Sequence, residues 1–272
     1  MRRIGIEYIS VFGLPPVEFV NLAADLGCAS IGTGLAPMPF NPHGYPAWSL
    51  LNDRALRQRM IATMRDRGIS ISVAEGFFVM PQADVRNHAA GLDAVRELGV
   101  ERINTLGLDP DVNRNFDQFA KLAELAANLG LETTLEFIPG TAVGDLPTAL
   151  AAIRHVGRPN FRLLIDTMHL MRSGSSAAEV AALDPAVIGY VQLCDAPLVS
   201  RFAQYMDEAK YERMAPGAGE FPLLDILKVL PTHLTISLEV PQRSLAEAGV
   251  GPHERLGRCV EATRTLLTRL ER

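Results

Sequence analysis

Along this chain, short apolar or β-branched runs alternate with longer stretches in which apolar residues recur every three or four positions. The short runs suit strands, and the longer pattern suits helices with one buried stripe. Strands are expected over residues 4–10, 29–32, 69–75 (ISISVAE), 102–107 (RINTLG), 131–137 (LETTLEF), 161–166 (FRLLID), 187–193 (VIGYVQL) and 234–240 (LTISLEV). Helices are expected over residues 17–27, 53–68, 84–99, 116–130 and 254–272, with a short one around 202–210. Four of the helical runs close on Gly just before the next strand, as DLG, RDRG, RELG and ANLG. Gly relieves the left-handed strain at a helix end, so the recurrence marks helix-to-strand junctions.

Strands and helices in alternation predict βα units and a parallel sheet. Eight strands account for nearly the whole of the 272 residues, close to the roughly 250 of a complete barrel. Local periodicity alone does not separate a closed barrel from a doubly wound open sheet. However, the sequence after the first strand, SVFGLPPVEF, has no Gly-rich turn, and neither a dinucleotide fingerprint nor a P-loop is present. The expected fold is α/β, a single (β/α)8 TIM barrel over residues 1–272. Two segments interrupt the alternation, residues 33–50, with four prolines, and residues 194–220. Irregular segments of this length inside a compact domain usually bind or cover something, and both are read as active-site lids.

Composition narrows the classes. A hydrophobic fraction of 48% and a charged fraction of 21% are ordinary for a globular domain. With 31 acidic residues against 26 Lys plus Arg, the net charge of -5 gives no support for nucleic-acid binding. No apolar stretch reaches the length of a membrane span, and the start MRRIGIEYISVFGLPP lacks the pattern of a secretory signal. Cys28, Cys194 and Cys259 are scattered without CxxC spacing, which argues against a disulfide framework. A cytoplasmic protein without membrane or nucleic-acid partners is the simplest reading.

The chemistry sits in the second half of the chain. Four successive strand candidates end in metal-capable oxygen side chains: Glu136 in TTLEF, Asp166 in RLLID, Gln192 in GYVQL and Glu239 in ISLEV. Parallel strands in a barrel would bring all four to one rim, where barrel enzymes place their chemistry. Three carboxylates converging there would repel one another, and burying each is costly without compensation. A divalent ion resolves both problems. The oxygen-rich set favours Mg, Mn or Co over a thiolate zinc site, with Gln192 adding a neutral oxygen. His169, three residues beyond Asp166, either polarises substrate or transfers a proton, or merely caps and packs the turn. Glu7 and Glu75 fall near the ends of the first and third strands and are expected to line the pocket. Arg213 is a candidate for binding a substrate anion if its loop folds inward; Lys210 and Gln242 are weaker candidates. Phe40, Trp48, Phe78 and Tyr205 lie in loops at the same rim, either shielding the site or packing the lids.

These motifs resemble the xylose-isomerase-like TIM-barrel superfamily, particularly its sugar-phosphate isomerase/epimerase branch. The resemblance runs over essentially the full chain and rests on TLEF, LIDTMH, YVQLCD, SLEVP and the turn PGAGE. It implies one divalent metal held by Glu136, Asp166, Gln192 and Glu239. It further implies proton exchange by Glu136 and Glu239 through an enediolate, with His169 orienting the substrate. The activity implied is a metal-dependent isomerase or epimerase of a small polyhydroxylated carbonyl compound, in a homodimer or homotetramer. Gln192 departs from the commoner histidine and is similar to 3-dehydroshikimate dehydratases, so a hydroxyketone dehydratase is the runner-up. Superfamily members that act on DNA need histidines that VAEGF and NTLG do not supply. A barrel that has lost catalysis and only binds its ligand is the third reading; retention of both Glu136 and Glu239 argues against it.

Overall fold

The computed structural model describes residues 3–270. Its strands are β1 (Ile4–Ile6), β2 (Ser30–Thr33), β3 (Ser70–Ala74), β4 (Arg102–Thr105), β5 (Glu132–Glu136), β6 (Phe161–Asp166), β7 (Ile188–Leu193) and β8 (Ile236–Leu238). All pair in parallel with their sequence neighbours, and β8 returns to β1 through Ile4–Ile236, Gly5–Ser237 and Ile6–Leu238. The sheet is closed. Around it lie α1 (Pro16–Asp25), α2 (Arg54–Arg67), α3 (Ala89–Glu97), α4 (Val112–Asn128), α5 (Leu146–Val156), α6 (Thr167–Arg172), α7 (Ala177–Ala181), α8 (Tyr205–Tyr211), α9 (Leu223–Val229), α10 (Arg243–Glu247) and α11 (Pro252–Leu270). The fold is a (β/α)8 TIM barrel. No helix among the described residues is long and apolar enough to cross a membrane.

Local chemistry sets the element ends. Asp53, Asp111 and Asp145 cap α2, α4 and α5 by accepting backbone N–H bonds that no helical carbonyl could receive. The four glycines read as junctions, Gly27, Gly68, Gly99 and Gly130, all take positive φ between 67° and 74°. The first strand is shorter than its apolar pattern suggests. It stops at Ile6, because the chain turns at residues 8–11 to let Ser10 accept from Val240 N (2.8 Å) and bond Leu238 O (3.3 Å). The eighth strand likewise contracts to its three central residues. The closing helix starts at Pro252, two residues earlier than expected, and residues 271–272 lie outside the described residues.

Most of the apolar core lies between the sheet and its helices, where Phe19, Ile31, Met60, Phe119, Leu163 and Ile236 belong to one continuous cluster. Inside the barrel, a separate small cluster of Val73, Leu164 and Tyr190 fills the centre. Above it the interior becomes polar. Tyr190 donates its hydroxyl to Glu7 Oε1 at 2.7 Å and lies 2.6 Å from Ser72 Oγ. Glu7 is fully buried, and the space it needs exists only because residue 32 is Gly: a Cβ there would sit 1.7 Å from Glu7 Oε2.

Burial pushes the Glu7 carboxyl from 4.5 up to about 7, against the bond from Tyr190 and with help from the nearby Glu136 and Asp166 charges. The folded chain therefore keeps a proton here that the unfolded chain releases above 4.5. Wild-type stability should fall through this group as pH rises from 4.5 to about 7, and the loss should be complete above that. Urea midpoints of wild type and Glu7→Gln across this window check it. The stability difference between them should change by roughly 1–3 kcal/mol, and parallel curves would contradict the protonated Glu7.

Candidate metal centre

The C-terminal ends of the strands form the expected rim. Glu136 closes β5, Asp166 closes β6, Gln192 is the penultimate residue of β7, and Glu239 follows β8 directly. All four are buried, as are Glu7, Glu75, His169 and Arg213. One ligand atom from each of Glu136, Asp166 and His169 falls within 4.8 Å of the others, a group able to hold a divalent ion. His169 Nε2 is 3.0 Å from Glu136 Oε1.

Each donor is held by its surroundings. Asp166 is both the last residue of β6 and the N-cap of α6, accepting from Met168 N (2.6 Å) and His169 N (3.1 Å) through Oδ1. That cap turns the chain so that His169 faces back over the rim. The His169 Nδ1 is hydrogen-bonded to the Tyr205 hydroxyl on α8, leaving Nε2 toward Glu136. Asn104, on β4, donates to Glu136 Oε2 (2.7 Å) and Glu75 Oε2 (2.9 Å), tying two carboxylates together with one neutral amide. Gln192 donates to Glu75 Oε1 at 3.2 Å, while its own carbonyl oxygen Oε1 is buried and accepts no hydrogen bond from the described residues.

Arg213 folds fully inward. Its Nη1 lies 2.5 Å from Asp166 Oδ2, its Nη2 lies 2.8 Å from Glu239 Oε2, and its Nε donates to Ala209 O. Its charge decides the protonation of its neighbours. Burial alone would raise Asp166, but Arg213, His169 and the hydrogen bonds outweigh it and hold the carboxyl below the ordinary range. Glu239 moves the other way: burial, Asp166 and Glu136 push it well above the usual carboxylate range despite Arg213. Glu75 is raised by burial, then by Glu136 and Glu7, against the bonds from Asn104 and Gln192. Neighbouring carboxylates with opposite shifts provide one group that stays charged and one that can exchange a proton.

Over this floor opens a cavity of about 280 Å³, in which Glu75, Glu136, His169, Arg213 and Glu239 face an apolar wall that includes Ile9, Met38, Phe78, Leu106 and Ile138. Both segments read as lids border it, through Pro37 to Pro39 and through Met206 to Arg213. The two segments also meet: Phe40 packs edge-on against Tyr211 with ring centres 5.6 Å apart. Trp48 instead anchors the first segment, donating to Gly13 O at 3.1 Å.

Sequence reasoning misses Asn104 and Asp195, and places Tyr205 at the rim without its bond to His169. Asp195 holds the PGAGE turn by accepting from Gly217 N (2.8 Å), Phe221 N (3.0 Å) and Ala196 N (2.9 Å). A Cβ on Gly219 would sit 2.4 Å from Asp195 Oδ1, so that turn requires glycine. The pairing of Asp195 with a glycine-rich turn more than twenty residues on was the available signal.

Residues 20–264 match the family model of the xylose isomerase-like TIM barrel. A 3-dehydroshikimate dehydratase of Pseudomonas aeruginosa is 30% identical over 112 residues, which are 41% of this chain but only 17% of that protein. Among solved structures, the IolI protein with a binding zinc atom superposes with a TM-score of 0.80 at 16% identity, covering 99% of both chains. D-psicose 3-epimerase does so with a TM-score of 0.69 at 16% identity, over 98% of this chain and 97% of that one. At such identities the superpositions speak for the fold.

Breaking the Arg213 pairs should expose the cost of the buried acids. In metal-free protein, Arg213→Met is expected to lower unfolding stability by roughly 3–5 kcal/mol, measured by urea denaturation. A loss below about 1 kcal/mol would mean that Asp166 and Glu239 do not rely on this cation. On the family model that matches most of its length, the chain belongs to the xylose isomerase-like TIM-barrel family.

Proposed function

We propose that this protein is a divalent-metal-dependent isomerase or epimerase of a small polyhydroxylated carbonyl compound. The observation that carries the reading is the convergence of Glu136, Asp166 and His169, of which Glu136 and His169 line the cavity together with Glu239. The donors fit a hard or borderline divalent ion, Mn or Mg before Co, since carboxylates dominate and no thiol joins the group. Glu136 and Asp166 anchor the ion, Gln192 Oε1 and Glu239 complete an oxygen set, and His169 lies at its edge, toward substrate. The free, buried Gln192 Oε1 supports this assignment. When bound, the ion would polarise a substrate carbonyl and ease negative charge onto its oxygen.

The chain's own residues then move the proton. Glu136 and Glu239 come from strands on different sides of the rim and serve as the acid/base pair at the carbon next to the carbonyl. The raised carboxyl of Glu239 suits proton exchange nearer neutral pH than an ordinary Glu. Arg213 fixes Glu239 through Nη2, and Tyr205 fixes the ring of His169. Phe78, Leu106 and Ile138 keep water from the reacting carbon. Segments 33–50 and 194–220 act as the lids over this step, and Glu7 and Glu75 support the floor from inside the barrel.

A hydroxyketone dehydratase is the second reading, favoured by the 112-residue likeness to 3-dehydroshikimate dehydratase. There the same proton removal would end in loss of water.

Stripped wild-type protein should take up one Mn(II) per chain. Glu136→Ala should weaken that binding by at least about 100-fold, since even the outer partners of metal ligands cost 10–100-fold. A folded wild type without a specific site would contradict the reading. In deuterated water with ketoses, inososes and 3-dehydroshikimate, NMR should show solvent deuterium entering an otherwise intact skeleton. A new alkene signal with loss of water would select the dehydratase instead, and no change in any substrate would overturn both.

A further inference from the structure

One charged group in the cavity lining has no internal role. Glu75 is bonded to Asn104 and Gln192, Glu136 to Asn104 and His169, and Arg213 to Asp166 and Glu239. Lys210 lines the same cavity, yet its ammonium makes no ion pair or hydrogen bond among the described residues. Its position is built. Met206, Ala209, Lys210 and Arg213 follow one another at helical spacing along α8 and its end, and all four line the cavity. Lys210 therefore shares the face that carries Arg213 into the floor, while its own head stays exposed at the mouth.

Of its three acidic neighbours, the exposed Asp207 makes no ion pair among the described residues, and the other two are engaged elsewhere. Glu208 is buried against Arg172, with Oε1 2.7 Å from Nη2. Glu212 accepts from Ser244 N (2.8 Å) and Ser244 Oγ (2.7 Å). Arg213, the cation expected to bind a substrate anion, is occupied by two buried carboxylates. Away from the metal-capable group at the floor, the apolar wall offers a negative ligand only desolvation.

We propose that Lys210 is a specificity-determining residue, which pairs with a carboxylate at the end of the substrate remote from Glu136 and Asp166. The substrate class that follows is a small hydroxy-carbonyl acid, with oxygens at the floor, a carbon framework on Phe78, Leu106 and Ile138, and the carboxylate at the mouth. A phosphate fits less well, because one lysine without a cradle of backbone N–H donors is a poor match for a dianion. This inference rests on the metal-centred reading of the floor given above.

The test uses two probes that differ only by a carboxylate, 3,4-dihydroxybenzoate and catechol, titrated by calorimetry into Mn-loaded protein. Wild type should prefer the acid by about five- to tenfold at low salt, with the preference shrinking as salt rises. Lys210→Met should abolish that preference and leave catechol binding unchanged, and Lys210→Arg should retain it. Catechol binding with no preference for the acid, or a preference that survives in Lys210→Met, overturns the role of Lys210 while leaving the metal reading standing. If neither probe binds Mn-loaded wild type, the cavity does not take a hydroxylated acid and this inference falls, while the Mn(II) stoichiometry decides the metal-centred reading separately.

Discussion

The floor of the cavity depends on the neutralisation of crowded, buried carboxylates. Glu7, Glu75, Glu136, Asp166 and Glu239 all lie within one polar layer at the top of the barrel, nearly inaccessible to solvent. Isolated ionised carboxylates in such a place would be prohibitively unstable. The chain meets the problem in three ways. Arg213 supplies a cation between Asp166 and Glu239, Asn104 and Gln192 supply neutral donors to Glu136 and Glu75, and Glu7 holds a proton up to about pH 7. A divalent ion beside Glu136, Asp166 and His169 would extend the same logic.

This compensation also joins the mobile-looking parts of the sequence to the rigid barrel. Segment 194–220 contributes three contacts to the inner rim: Tyr205 to His169, Glu208 to Arg172, and Arg213 to the two acids. Its far side is secured by Asp195, which gathers three backbone N–H groups around PGAGE. The helix that covers the site is thus positioned by the same side chains that make its electrostatics tolerable. The order of α8 is physically coupled to the buried acids through Arg213 and Tyr205.

Much of this was legible in the chain. The runs ending in Glu136, Asp166, Gln192 and Glu239 gave four strand ends because strand length and burial are local properties, and DTMH gave His169 because a cap and its helix are neighbours in sequence. The partners were not legible for the opposite reason. Asn104 acquires its meaning only from Glu136, thirty-two residues later, and Tyr205 only from His169, thirty-six residues earlier. Arg213 reads from the sequence as a substrate-binding cation, yet its double pairing depends on barrel closure bringing β6 and β8 to one rim. The expected first strand runs too far because Tyr8 and Ile9 look like a buried strand, while the bonds of Ser10 to β8 turn residues 8–11 into a tight helical turn.

The central claim is that Glu136 and Asp166 share a divalent ion above the barrel axis. Anomalous diffraction from crystals of the wild-type protein soaked in Mn(II) tests it most directly. The account predicts one strong peak per chain within bonding distance of both carboxylates, with Arg213 still close to Glu239. A peak at another place, or none in crystals where the Arg213 pairs with Asp166 and Glu239 are intact, would contradict it.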